Sequence, residues 1–483
     1  MINIDESYVD AAAPNASAIK NGRGLILKKK FLSFNQSADK TLLFGECSGS
    51  GKSNYIVSVD FIRPDNPTYR CNCPSRQFPC KHALGLMYAY VDGKTFTTED
   101  VPEDIAEKRE KMQVRAEKKK VEAKKPKKVN KAALAKKIKA QLGGLDLLET
   151  LTHDLLRTGM GNTNPKTARQ IETQAKQLGN AYLPGAQSAL RSYTRLFIDD
   201  EGHIEELSAT QREAIYGEAL DQLTRLNAII KQGRAYLTKR QEDPELKPET
   251  DTAIAAWLGH AWQLRELLDA GLVENDVELI QLAFNSYDDG ARQEFVDTGV
   301  WMNLKTGKIP LTQTFRPYKA AKYIKSADSV FHVVQAKELC VYPGDVNPRV
   351  RWEEMTPRDV DKKDFTAIRK HGNTDFAAVI KEVKSKLKAP LADKLPVYAL
   401  NYAKLGRVGD HYVAEDAKGE RLVLTEAGMA EEPASCHLLG MLPKSLFSKQ
   451  TLVVRFHHDL NSRQLRIKPL SIVTTGQIVR LTF

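Results

Sequence analysis

The sequence predicts a multidomain α+β protein: a β-rich N-terminal region, a basic linker, a helical middle region, and a mixed α/β C-terminal region with antiparallel strands. Three observations lead there. At 483 residues the chain is too long for one hydrophobic core. Its positive charge is concentrated in one segment. Its apolar periodicity changes from short alternating runs to spacings of three and four, and then back again. These changes divide the chain at 1–93, 94–142, 143–275, 276–395 and 396–483.

In the first region LILKKKF (25–31), TLLF (41–44) and YIVSVDFI (55–62) read as short strands bounded by turn residues. ALGLMYAY (83–90) reads as a short helix ending before Asp92-Gly93. Residues 107–140 hold 15 Lys/Arg and 4 Asp/Glu, which equals the net +11 of the whole chain and leaves the remainder neutral. The segment 94–142 has few large apolar positions and cannot bury a core of its own, so it reads as a linker. Helices follow in GLDLLETLTHDLLRTG, REAIYGEALDQLTRLNAIIKQGRAYL and IAAWLGHAWQLRELLDAGL. After residue 277 strands return in VELIQLAF, TGVWMNL, SVFHVVQ and ELCVYPG. One further helical stretch (364–387) and a run of C-terminal strands with short polar turns suggest antiparallel meanders.

No run of about 18 apolar residues supports a membrane span, and the N-terminus MINIDESYVDAAAPNAS lacks the basic and apolar parts of a secretory signal. A cytoplasmic protein is expected. Three of the six cysteines fall within ten residues, in RCNCPSRQFPCKHA (70–83). In a reducing compartment such a cluster favours metal over disulfide. Zn2+ takes four tetrahedral ligands from thiolate and imidazole, and Cys71-x-Cys73 followed by Cys80-x-His82 offers that set. Pro74 and Pro79 disfavour a helix between the two pairs. The resulting Cys3His shell is closed, as in a structural site. Three thiolates on Zn2+ leave a net −1, which Arg76 and Lys81 are placed to soften. Three buried free thiols with an incidental histidine, or a redox-active Cys-x-Cys pair, are the alternatives. Four ligand types in twelve residues favour the metal.

The pattern C-x-C-x(n)-C-x-H resembles the SWIM zinc finger. The wider runs CPSRQFPCKHALGLMYA and GECSGSGKSNYIVSVD are similar to bacterial SWIM zinc-finger family proteins. More weakly so are GLDLLETLTHDLLRTGM, LGNAYLPGAQSALRSYTRL and ELCVYPGDVNPRVRWEE. The resemblance places the finger at about 55–91 and implies zinc bound by Cys71, Cys73, Cys80 and His82. It implies a module that binds DNA or protein, and a setting near MoxR-type AAA+ ATPases and von Willebrand factor A proteins. It implies no catalytic activity.

Other motifs carry less. GECSGSGKS (45–53) ends like a phosphate loop, but Glu46 stands where Gly is required and Ser53 leads into a β-branched run rather than a helix. A strand–turn–strand hairpin is expected, with Lys52 in the turn. The acidic group Asp199, Asp200, Glu201, Glu205 and Glu206 lacks EF-hand spacing. His457 and His458 are neighbours on a predicted strand, which sends them to opposite faces. Cys47 reads as a packing residue with a reactive thiol as its alternative. Neither GxSxG nor HExxH occurs, so no catalytic residue is assigned and a non-enzymatic protein is expected. The basic linker is rich in Lys and lacks aromatics, which suits phosphate neutralisation rather than base readout. Two functions follow as expectations. One is a protein-interaction adaptor, with a AAA+ ATPase system as its expected partner. The other is a DNA-binding protein using Lys28, Lys29, Lys30 and the linker.

Overall fold

In the computed structural model, which describes residues 2, 4–49, 53–62, 67–75, 78–112, 130–198, 208–324, 326–344, 346–426, 432–460 and 462–482, the chain forms two compact units, Met1–Lys125 and Pro126–Phe483.

The first unit is built around one helix. α3 (Lys81–Val91) is buried from His82 through Ala89, so it is apolar all round and must be covered on both sides. A five-stranded sheet covers one side. Its order is β4-β3-β2-β1-β5, formed by β1 (Asn35–Ser37), β2 (Leu42–Cys47), β3 (Tyr55–Asp60), β4 (Thr68–Cys71) and β5 (Thr97–Glu99). β1 and β5 pair parallel and the other neighbours antiparallel. α1 (Glu6–Ala12) and α2 (Ala16–Leu27) also pack on α3. Leu43, Val57, Val59, Leu84, Leu86 and Met87 fill the core between these layers.

The strand expected at 25–31 is not formed: residues 25–27 are the last turn of α2. The Asn15 side chain caps that helix by accepting from the Ala18 N–H at 2.9 Å. Gly22 and Gly85 then let α2 and α3 approach closely. A Cβ on Gly22 would stand 3.0 Å from the Leu84 Cβ. The apolar residues of LIL therefore follow a helical rather than an alternating pattern. Cys47 and Tyr55 face each other at the ends of β2 and β3. The GECSGSGKS stretch thus joins two antiparallel strands, as expected, although residues 50–52 lie outside the described residues.

The expected linker 94–142 is structured at both ends. β5 joins the sheet, and residues 103–112 are helical (α4). Arg109 of that helix reaches back to Asp60 at 2.8 Å and to the Thr41 hydroxyl at 2.8 Å. Ile138, from the opposite end, is buried in the second unit. The reading of 94–142 as one solvated tether is corrected accordingly. Residues 113–129, the heart of the basic run, lie outside the described residues.

The second unit opens with α5 (Lys131–Thr158), α6 (Pro165–Asn180), α7 (Pro184–Arg195), α8 (Ala209–Glu242), α9 (Ile254–Trp257) and α10 (Leu264–Asp269). Leu145, Leu148, Leu178, Leu190, Tyr193 and Ile229 are among the residues of their shared core. A six-stranded antiparallel sheet follows, built on β6 (Val273–Asp289), β7 (Glu294–Asn303), β8 (Leu311–Pro317) and β9 (Val333–Val341), with β10 (Val350–Arg351) and β11 (Met355–Arg358) on β9. The two strands expected from SVFHVVQ and ELCVYPG are one, β9. The helix expected at 364–387 is two, α11 (Lys362–His371) and α12 (Phe376–Leu387), with Asp375 as the N-cap of the second. The C-terminal strands form a four-stranded sheet, β12 (Val397–Asn401), β16 (Thr451–Asp459), β17 (Gln464–Val473) and β18 (Ile478–Arg480). They also form a three-stranded meander, β13 (Lys404–Val408), β14 (His411–Glu415) and β15 (Arg421–Val423). The boundary expected at 395/396 is not a break. Ile280, Met302 and Phe365 share a core with Val397, Val453 and Leu470.

Candidate metal centre

The second half of the first unit's sheet delivers the cysteine cluster. Cys71 is the last residue of β4 and stands opposite Val57 on β3. The chain then turns, and Asn72 ties the turn down: its side-chain oxygen accepts from the Ile56 N–H at 2.8 Å, and its own N–H donates to the Ile56 carbonyl at 3.3 Å. This leaves Cys71 and Cys73 on either side of a pinned knuckle. The second pair is set by α3. Cys80 is its N-cap residue with an extended backbone, and its carbonyl already accepts from the Leu84 N–H. His82 lies in the first turn, 2% exposed, with the Tyr55 ring 4.7 Å away between centroids.

These elements bring all four expected residues together, with one ligand atom from each within 4.8 Å of the others. The His82 Nδ1 is 3.7 Å from the Cys71 Sγ and 3.9 Å from the Cys80 Sγ. Zn–S and Zn–N bonds of about 2.3 and 2.1 Å at tetrahedral angles put a sulfur and a nitrogen roughly 3.6 Å apart. The donor set therefore fits zinc in both chemistry and spacing. It is the one such group of His, Cys, Asp and Glu among the described residues.

The electrostatics agree. Cys80 is held well below the usual thiol range, first by the hydrogen bond from Cys71, then by His82 and the backbone N–H groups at the start of α3, against its burial. Cys71 is pushed up by the same shared proton and by burial. Zinc takes its cysteine ligands as thiolates, so binding releases the protons that the thiols carry. When bound, zinc supplies a fixed tetrahedral crosslink between β4 and α3. Four protein ligands leave no open position for substrate, as in structural sites.

Beside the ligands lies an open cleft of about 730 Å3 whose wall includes Cys73, Cys80 and His82. Its lining also includes Asn15, the N-cap of α2, and Asn21 within that helix, and Lys30 and Lys81 supply its charge. No Asp or Glu lines it among the described residues. Ile56 and Phe78, next to the knuckle and to Cys80, are 62% and 45% exposed. Arg76, expected to soften the thiolate charge, lies outside the described residues.

The other expected residues are dispersed. Cys47 is buried, and burial pushes its thiol up, which suits packing. His457 and His458 stand opposite Arg466 and Leu465 at successive positions of β16, so they alternate faces. Asp199, Asp200, Glu201, Glu205 and Glu206 lie outside the described residues. Sequence reading missed Asn72 and Tyr55. An Asn between two ligand cysteines was the signal for the first, and nothing local announces the second. No described helix is long and apolar enough to cross a membrane.

A family model described as SWIM zinc finger matches residues 55–91. The match runs from the start of β3 to the end of α3 and takes in all four cluster residues. No curated protein matches the chain. No solved structure matches it either.

Proposed function

We propose that this chain is a non-enzymatic recognition protein whose zinc-fixed finger presents the adjoining cleft to a protein partner, with a AAA+ ATPase of MoxR type or a von Willebrand factor A protein as the expected class. The observation that carries this reading is the chemistry around the ligands: a cleft lined by Lys30 and Lys81, with no Asp or Glu among the described residues of its wall. A cleft whose charged side chains are lysines suits an acidic partner segment. Zinc is the crosslink that keeps the cleft wall in place.

A second reading is favoured by Lys28, Lys29 and Lys30, all exposed, together with the basic run 107–140. Nucleic-acid phosphates would be neutralised there, with a steep dependence on salt. The two readings separate in one experiment. The full chain and a Lys28/Lys29/Lys30→Ala variant are titrated against a labelled DNA duplex at about 150 mM salt, and against purified MoxR-type ATPase. ATPase binding that disappears in Cys80→Ser, with no retained DNA, supports the adaptor. DNA binding that survives this salt and falls in the triple-lysine variant supports the second reading. Binding of neither ends both.

A further inference from the structure

The second unit contains a larger cleft, about 890 Å3, within the range of small-molecule sites. Its floor is one face of β6–β8, including Val296, Thr298 and Phe315. Its walls come from α7, α9 and the β12 and β16 strands. Three observations on it point to one ligand chemistry.

The first is Arg349. Its guanidinium carbon stands 3.9 Å from the Tyr342 ring centroid and 5.6 Å from that of Phe315, and all three residues line the cleft. Stacking on aromatic faces orients a guanidinium and leaves its N–H edge for a bidentate acceptor. Among the described residues no carboxylate pairs with it. The carboxylates that line the cleft have contacts of their own: Asp289 and Glu294 share Arg292, and Asp393 accepts from the Leu395 N–H. The second is Arg455 on the cleft wall. Arg455 and Lys468, 3% and 1% exposed, share the single carboxylate of Glu432 at 2.5 and 3.1 Å. Among the described residues these two cations face one carboxylate, a local excess of positive charge at this wall that an approaching anion would offset. The third is Thr298. It is 3% exposed, lines the cleft, and its hydroxyl has no hydrogen-bond partner among the described residues.

We infer that this cleft binds a small organic anion, its carboxylate or phosphate head taken by Arg349 and its body lying on the apolar floor. The excess charge at Arg455 favours the anion over its neutral analogue. The Thr298 hydroxyl donates to a ligand oxygen. The site is independent of the zinc finger in chemistry and in residues.

Isothermal titration of the full chain with two probes tests this: AMP for a phosphate head and 2-naphthoate for a carboxylate. Adenosine and 2-naphthalenemethanol serve as neutral counterparts. The expected result is binding of at least one anion with a Kd below about 1 mM, its neutral counterpart binding at least about tenfold more weakly, and a further loss of about tenfold in Arg349→Ala. Which probe binds tells phosphate from carboxylate. Thr298→Val keeps the side-chain shape and removes only the hydroxyl. It is expected to weaken binding a few fold without lowering the melting temperature, and it stands in if Arg349→Ala does not fold. The inference is overturned if neither anion binds, if the neutral compounds bind equally well, or if the folded variants bind like the parent chain.

Discussion

The two units reach order by different physical routes. In the second, long helices and broad sheets enclose continuous apolar clusters, and no cluster of metal-ligand side chains occurs among its described residues. In the first, one buried helix is held between small layers, and the segment from Cys71 to Cys80 has almost no apolar residue to bury. Burial scales with size, so a small unit needs a crosslink where its core does not reach. The difference is physical: a segment fixed by a metal does not depend on hydrophobic burial, so its side chains need not be apolar.

The largest break in this comparison should come from zinc removal. Structural zinc contributes on the order of 10–16 kcal/mol in finger peptides at neutral pH. Chelation is expected to abolish hydrogen-exchange protection at the Asn72 and Leu84 N–H groups, which donate to the Ile56 and Cys80 carbonyls, while leaving α7 as protected as before. Equal loss in both units would erase the distinction. Next, Phe376→Ala empties a fully buried position in the second unit. It should cost about 3–5 kcal/mol, read as a lower denaturation midpoint in that unit, with zinc content unchanged.

A third test lies at Asp60, 1% exposed between Arg70 and Arg109. Burial pushes this carboxyl up, but hydrogen bonds from Arg109, the Ile62 N–H and Arg70 outweigh it and hold it below the ordinary value. Its stabilisation is therefore fully present above the unfolded carboxylate value of about 3.9 and is lost as pH falls through the lower folded value. Asp60→Asn should cost the first unit about 3 kcal/mol at neutral pH. It should also flatten that unit's acid-denaturation slope, which urea melts at several pH values would show.

The smallest effects come from two glycines of α2. A Cβ on Gly22 meets Leu84 and the Lys81 carbonyl at 3.0 and 3.3 Å, whereas one on Gly24 meets nothing within 4 Å. Gly22→Ala should destabilise by about 1 kcal/mol, overpacking exceeding the gain in helix propensity. Gly24→Ala should stabilise by about 0.5–1 kcal/mol. Equal thermal shifts for the two variants would remove the close α2–α3 approach from the account.

The metal centre was legible because zinc ligation is local here: four ligand types within twelve residues at a spacing the chain can close. The hairpin before it was legible for a similar reason, since β-branched residues follow the Gly/Ser turn directly. What joins distant positions was not. Tyr55 against His82, and Asp60 against Arg109 across 49 residues, depend on tertiary packing that no window of sequence contains. The LIL run at 25–27 was misread because three apolar residues fit a strand or a helix equally, and the cap that decides, Asn15, lies ten residues earlier. The second cleft combines residues from α7 to β16, so its composition emerges only from the fold.

At the centre stands the assignment of Cys71, Cys73, Cys80 and His82 to one zinc ion that ties β4 to α3. Elemental analysis of the purified full chain and its Cys80→Ser variant tests this most directly. The account predicts about one equivalent of zinc in the parent chain and a large loss in the variant. Less than about half an equivalent in the parent, or an unchanged content in Cys80→Ser, would contradict it.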